Sequence, residues 1–405
     1  MQHRNQTLLF FYSLALGVVV WAVSFWATPA HPLQSPLIES ITFFLLSYLV
    51  LMAGFLIPIK PAKEKRFAIN RKVIQHAIWI ILASFCVRYI DLFYYRGLSV
   101  YNTIFENRTL VSTPLHFYEI PFKIASVLKS CYFIPLLLYL NSKKAIGGKT
   151  FLLCVLVFLL PLLEAFLLGS RKTLFELLAL LAIILFVHKK ISLKNGLYVI
   201  CGSIIFVTVG TTYILKQRVN IEFNSDRSKN ELLTSRYNDL FPLNESFKNQ
   251  LVNETKSNFE FNLRLITAHY GQYLNHGFFE MDGIIRNKNQ LDFALGRHTF
   301  SQVLKPFSLD VNANPRVYTY VTFFGSFFLD FSWWALIVFF VFGMFQRVVF
   351  LTSENNMYSK CLLPYLCLIN FAIPFMCTIR GAGLYPLIGV AIVYFYSLKT
   401  KRVVT

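Results

Sequence analysis

The sequence predicts an all-α polytopic membrane protein of about ten transmembrane helices, with one large loop outside the membrane. Three observations predict it. Hydrophobic residues make up 56% of the 405-residue chain, more than a soluble fold of this size needs for its core. They gather into runs long enough to cross a bilayer core of roughly 30 Å, which takes about 20 helical residues. The Lys and Arg residues between runs fall mainly on one side, the bias that orients membrane proteins.

The first two spans are 8–27 and 37–58. No small-residue cleavage pattern follows the first, so it is kept as a helix rather than a removed leader. The loop 28–36 between them has no Lys or Arg, whereas "KPAKEKRFAINRK" (60–72) is dense in them. Spans three to seven are 73–90, 122–140, 150–168, 173–187 and 196–215, with "SKKAIGGK" (142–149) and "HKKISLK" (188–194) on the same side as 60–72. Spans eight to ten are 331–350, 361–378 and 384–398, followed by "KTKR" (399–402). That alternation places both termini in the cytoplasm. The apolar stretch 317–329 is too short to span and reads as a re-entrant or half helix, an eleventh membrane element.

The only long polar segment, 216–316, separates an N-terminal bundle (1–215) from a C-terminal one (317–405). It holds 13 Lys/Arg against 11 Asp/Glu, is nearly neutral, and reads as a small exterior domain. Within it Phe261, Leu265, Ala268 and Gln272 fall on one helical stripe. The formal charge of +19 is therefore mostly a topology signal and does not indicate nucleic acid. All seven cysteines lie inside the expected spans, which argues against a disulfide framework or a zinc site.

Cations on the exterior side run against this bias. Arg171 and Lys172 sit in the turn "LLGSRKTLFELL" between two apolar runs, and Arg88, Arg96, Lys129, Arg218 and Arg380 reach the same level. A charge inside a span costs about 2.5–3.5 kcal/mol on the milder scale, so several near one plane suggest an anionic ligand. Gly169 beside Arg171, and Gly381 and Gly383 beside Arg380, let backbone N–H groups approach an anion. Arginine's planar fork suits phosphate. A polyprenyl diphosphate fits, and so does a phospholipid headgroup. The simpler account is snorkelling, or pairing with Asp91, Glu164 or Glu176. In the large loop Arg264 and His269 stand five apart, about 140° around a helix, and Arg297 precedes His298. Either histidine is a candidate base. Glu280 and Asp282 form the only Glu-x-Asp, a weak candidate for a divalent metal. Serine-hydrolase, phosphate-loop and zinc-protease motifs are absent from the sequence.

In order, these features resemble the bacterial oligosaccharide repeat-unit polymerases, the Wzy-type O-antigen and capsule polymerases. The pieces are "IDLFYYRGLS" (90–99), "LLGSRKTLFELL" (167–178), "LGRHTF" (295–300) and "NPRVYTYVTFFGSFFLDFS" (314–332). Ser332 stands where the last stretch has glycine, and Ala335 where a second glycine is common. The resemblance implies a GT-C-like glycosyltransferase of the bacterial inner membrane with its large loop in the periplasm. It implies undecaprenyl-diphosphate-linked oligosaccharides as substrates and a chain-length regulator as a partner, with no cofactor required. On that reading Arg171, Lys172, Arg96, Arg88 and Arg380 are expected to bind the diphosphate, with Arg264 beside them. His269 or His298 would serve as base, and Tyr270 and Tyr318 would stack on sugar. Two other readings stay open: an O-antigen ligase acting on lipid A core, and a polysaccharide or lipid transporter.

Overall fold

The structure, a computed structural model, describes residues 2–59, 69, 71–112, 119–142, 147–187, 229–230, 232–253, 259–300, 320–393 and 395. Regular structure among them is helical. Fifteen α-helices carry the argument: α1 Gln2–Ala27, α2 Ile38–Leu56, α3 Arg71–Tyr89, α4 Ile104–Ser112, α5 Glu119–Lys129, α6 Ile134–Asn141, α7 Gly148–Leu159, α8 Pro161–Leu167, α9 Arg171–Val187, α10 Glu245–Asn253, α11 Phe259–Arg286, α12 Phe323–Phe331, α13 Ala335–Thr352, α14 Met357–Ala372 and α15 Tyr385–Val393.

Six helical stretches among the described residues are long and apolar enough to cross a membrane: Gln6–Ala27, Ile38–Leu56, Arg71–Tyr95, Ile120–Asn141, Gly148–Leu167 and Phe323–Thr352. This is the architecture of a polytopic membrane protein. They coincide with expected spans one to five and eight. The sixth expected span corresponds to α9 and the seventh lies outside the described residues. The ninth and tenth fall on α14, of 16 residues, and α15, of 9.

The chain divides into two compact units, each assembled from separated stretches: 1–61, 223–351 and 369–384 in the first, and 62–222, 352–368 and 385–405 in the second. This grouping cuts across the linear division at 215 and 316.

In the first unit α11, at 28 residues about 42 Å long, packs on α1, α2 and α12. Its predicted stripe is buried, from Phe261 through Leu265 and Ala268 to Gln272. Burial then widens to take in Asn275, His276, Glu280 and Asp282. Polar groups so enclosed need partners. Gln272 donates to Asn238 Oδ1 (2.8 Å) and the Phe241 carbonyl (2.9 Å), and Asn275 donates to Ser24 Oγ (3.0 Å). Asp282 accepts from the Leu37 N–H (2.8 Å) and from Arg286 (2.7 Å).

The loop after α1 is stitched to the residues before α10. An isolated bridge joins Ala30 to Leu243, and the N–H groups of His31, Leu33 and Asn244 donate to Pro242, Leu240 and Pro29. Below this seam α2 and α13 approach closely, because a Cβ on Gly54 would strike the Phe340 backbone. Asn370 adds a buried polar tie, donating to Ser13 Oγ (3.2 Å) and Gln346 Oε1 (2.8 Å).

The described part of the short apolar stretch before span eight is α12, with every residue from Phe323 to Asp330 buried. Thr322 caps its start by accepting from the Gly325 N–H (3.0 Å). Ser332 ends it at φ 52°, ψ −138°, a region that glycine visits far more readily than residues with a Cβ. The break separates α12 from α13, so the apolar stretch Phe323–Thr352 is two helices.

In the second unit α3 packs on α5, α6 and α7, α5 packs on α15, and α8 packs on α9. At its end α3 widens into one π-turn, Ile90–Tyr95, closed by the Arg96 N–H on the Asp91 carbonyl (3.0 Å). Such turns recur at functional sites because they re-aim side chains.

Replacing Ser332 with glycine should relieve the strained backbone and stabilise the fold by about 1 kcal/mol, after allowing for the greater freedom of an unfolded glycine. The check is a higher thermal midpoint in detergent.

Candidate functional site

Among the described residues each unit holds a fully buried aspartate with basic side chains near it. The centre in the second unit is built on Asp91, fully buried in the π-turn. Arg88, one helical turn before it, pairs with one carboxylate oxygen, and Arg96 Nε pairs with the other at 3.0 Å. Arg96 also donates to the Val111 carbonyl (2.7 Å). Glu164, on α8, pairs with Lys129 and lies 3.9 Å from Arg88 Nε. Arg88 thus links two carboxylates, and three cations face two anions among the described residues. Burial of such a set is tolerable only with full pairing.

The Gly-Ser-Arg turn belongs to the same unit. Gly169 takes φ 60°, and Ser170 opens α9 by accepting from the Thr173 N–H (3.3 Å). Arg108 Nε donates to the Leu168 carbonyl (2.8 Å) and its terminal nitrogen to that of Gly169 (3.1 Å), closing the end of α8. Arg171 therefore begins α9, while its side chain lies outside the described residues. Lys172 pairs with Glu176 at 3.5 Å.

The centre in the first unit is built on Asp330, fully buried near the end of α12. Its carboxylate accepts from the backbone N–H groups of His298 and Thr299, both at 2.9 Å. Its carbonyl accepts from the Leu295 N–H (2.9 Å). Leu295 and Gly296 hold positive φ, 48° and 87°, which lets the chain fold back around the carboxylate. The Thr299 carbonyl then accepts from the Gly381 N–H (3.2 Å), tying in the "TIRGAGLYP" turn. His298 and Arg380 thereby become neighbours.

His298 is 8% exposed, and its Nε2 is buried without a hydrogen-bond partner. Burial pushes its pKa down to about 3, and the Arg380 charge adds to that. The imidazole is therefore neutral at physiological pH. Arg380, half-buried, has its own pKa drawn below the usual value by burial, against the opposing influence of Cys377, Tyr320 and Asp330. A neutral imidazole can accept a proton, and a guanidinium beside it can receive an anion.

The remaining expected site residues are placed as follows. Arg264 lies on the exposed side of α11 and pairs with Glu260 (2.6 Å) and Gln250 (3.3 Å). His269 and Tyr270 are half-buried on the same helix. Tyr318 lies outside the described residues. Glu280 is buried, and Asp282 is engaged by Leu37 and Arg286. Among the described residues no group of three or more His, Cys, Asp or Glu is placed to hold a metal ion. The six described cysteines are free thiols, and Cys201 lies outside the described residues.

Sequence reasoning overlooked Arg108, which closes the Gly-Ser-Arg turn. Asp330 carried a signal, since a lone acid in the apolar "FFLDFS" needs a reason to be there. No protein-family model matches the chain, and no curated protein or solved structure matches it.

Two outcomes are expected. Removing the Glu164 carboxylate alone (Glu164→Gln) strands Lys129 in the bundle and should cost about 3–5 kcal/mol, most of it recovered when Lys129→Met is added; denaturation of the single and double variants in detergent measures this. His298 has a folded pKa below its ordinary 6.5, so acid favours the unfolded state, which takes up the proton first. Its stabilising contribution should be complete above pH 6.5 and decline as pH falls toward 3. The thermal midpoint of His298→Gln should fall less steeply over that window than that of the parent.

Proposed function

We propose that the chain is an inner-membrane polysaccharide polymerase of about ten spans. It would join undecaprenyl-diphosphate-linked glycan repeat units at the periplasmic face. The observation that carries this reading is the juxtaposition of His298, on the loop held by Asp330, with Arg380, since the reaction needs a base and an anion-stabilising group together. The acceptor hydroxyl gives its proton to His298 Nε2 as its oxygen bonds to the anomeric carbon of the donor chain. The bond from that carbon to the diphosphate oxygen breaks, and Arg380 stabilises the charge gathering on the leaving group. An anion at Arg380 also offsets the field that weakens the imidazole as a base, so His298 is strengthened when the donor is in place. The chemistry needs no cofactor on this account, and a chain-length regulator would act on the same protein.

A transporter is the second reading, favoured by the paired charges Lys129–Glu164 and Arg88–Asp91 within candidate spans. The experiment that separates the readings is the glycan profile of a deletion strain complemented with Arg380→Ala or His298→Gln at matched protein level. A polymerase predicts loss of long chains, with lipid A cores still bearing one repeat unit. Bare cores would indicate a ligase if purified protein also transfers glycan to lipid A core, and a transporter if unextended lipid-linked units accumulate on the cytoplasmic side. Normal long chains in both variants would overturn the polymerase reading.

A further inference from the structure

Beside Arg380 the first unit holds a set of aromatic rings with no role in the proton transfer. His276, on the buried face of α11, stacks on Tyr237 at 4.0 Å between centroids and 26° between planes. Its Nδ1 faces the Gln272 carbonyl at 3.0 Å, and because a carbonyl only accepts, that nitrogen carries a proton and the ring is fixed. One turn earlier on the same helix is Tyr273, 6.0 Å from His276. Both rings meet Tyr320 near-perpendicularly, Tyr273 at 5.6 Å and 73° and His276 at 6.4 Å and 66°. Tyr320 is 39% exposed and within electrostatic reach of Arg380.

A tyrosine so exposed is usually mobile, yet this one is propped on edge by two rings whose own positions are set by a helix. A preset aromatic ring loses little entropy on binding. Its neighbour is a guanidinium with several donors. An apolar face beside a forked polar donor is complementary to a pyranose ring, which offers a face of C–H groups and a rim of hydroxyls. An inorganic anion has no use for the ring, and an acyl chain has no use for the fork.

We propose that Tyr320, supported by Tyr273 and His276, is a stacking platform for one pyranose ring of a glycan, with Arg380 at the hydroxyl rim. This rests on the polymerase reading for the identity of the glycan and moves the sugar contact away from Tyr270. On that reading the ring seated there is the acceptor sugar next to the transferred bond.

The test is binding, independent of turnover. The probe is the free repeat-unit oligosaccharide released by mild acid from the lipid-linked glycan of the producing cell. It is titrated against the full chain in detergent micelles and read by saturation-transfer NMR. The parent protein and Tyr320→Phe should bind alike, with saturation concentrated on the C–H protons of one ring. Tyr320→Leu keeps bulk but loses the π face, and should weaken binding roughly tenfold, the scale of one aromatic contact. Equal binding by Tyr320→Leu, or no binding by the parent, overturns the platform. Outcomes for the two readings separate cleanly. Lost binding in Tyr320→Leu alongside normal long chains in the His298 and Arg380 variants retains a sugar site and removes the polymerase. The reverse pattern retains the polymerase and removes the platform.

Discussion

A charge enclosed by apolar helices must be answered within the protein, and both charged centres are shaped by that constraint. Neither carboxylate is exposed to solvent, so each recruits what the chain can supply. Asp91 recruits guanidinium groups from the helical turn before it and from just beyond the π-turn. Asp330 recruits backbone N–H groups from a loop more than thirty residues earlier, and among the described residues holds them without any cation bonded to it. The two solutions differ in consequence. The first consumes the cations that surround the acid. The second leaves Arg380 and the far nitrogen of His298 out of the hydrogen bonding that anchors the acid, where a ligand could use them.

How far the sequence revealed this follows from how local each feature is. The apolar runs and the α11 stripe are periodic, and periodicity survives without tertiary context. Five expected spans and the eighth reappear on described helices of the expected place and type. The break at Ser332 was invisible as conformation, because a serine at positive φ looks like any other serine in the sequence. The pairing of Arg88, Arg96 and Lys129 was foreseeable as an alternative, since Asp91 and Glu164 were in view. Only coordinates could show that one arginine spans both acids.

The site was legible in part for the same reason. His298 and Arg380 were chosen separately, one for its loop and one for its glycines, and nothing in residue spacing says that 298 and 380 meet. Their meeting depends on Leu295 and Gly296 turning the chain back and on Thr299 accepting from Gly381. Arg264 attracted attention as a cation near a histidine, but its position on α11 faces it outward, where Glu260 sits one turn away. Tyr320 offered no pattern to find, because its neighbours are two rings of α11 and Arg380, both distant in sequence.

The seam between the loop after α1 and the residues before α10 has a consequence for biogenesis. Ala30 is synthesised early, yet its partner Leu243 leaves the ribosome more than two hundred residues later. At about 5–20 residues per second the first hairpin waits ten seconds or more with its connecting loop unfastened. The first unit therefore closes only after most of the second has been synthesised. Contacts of such long sequence separation are slow to form.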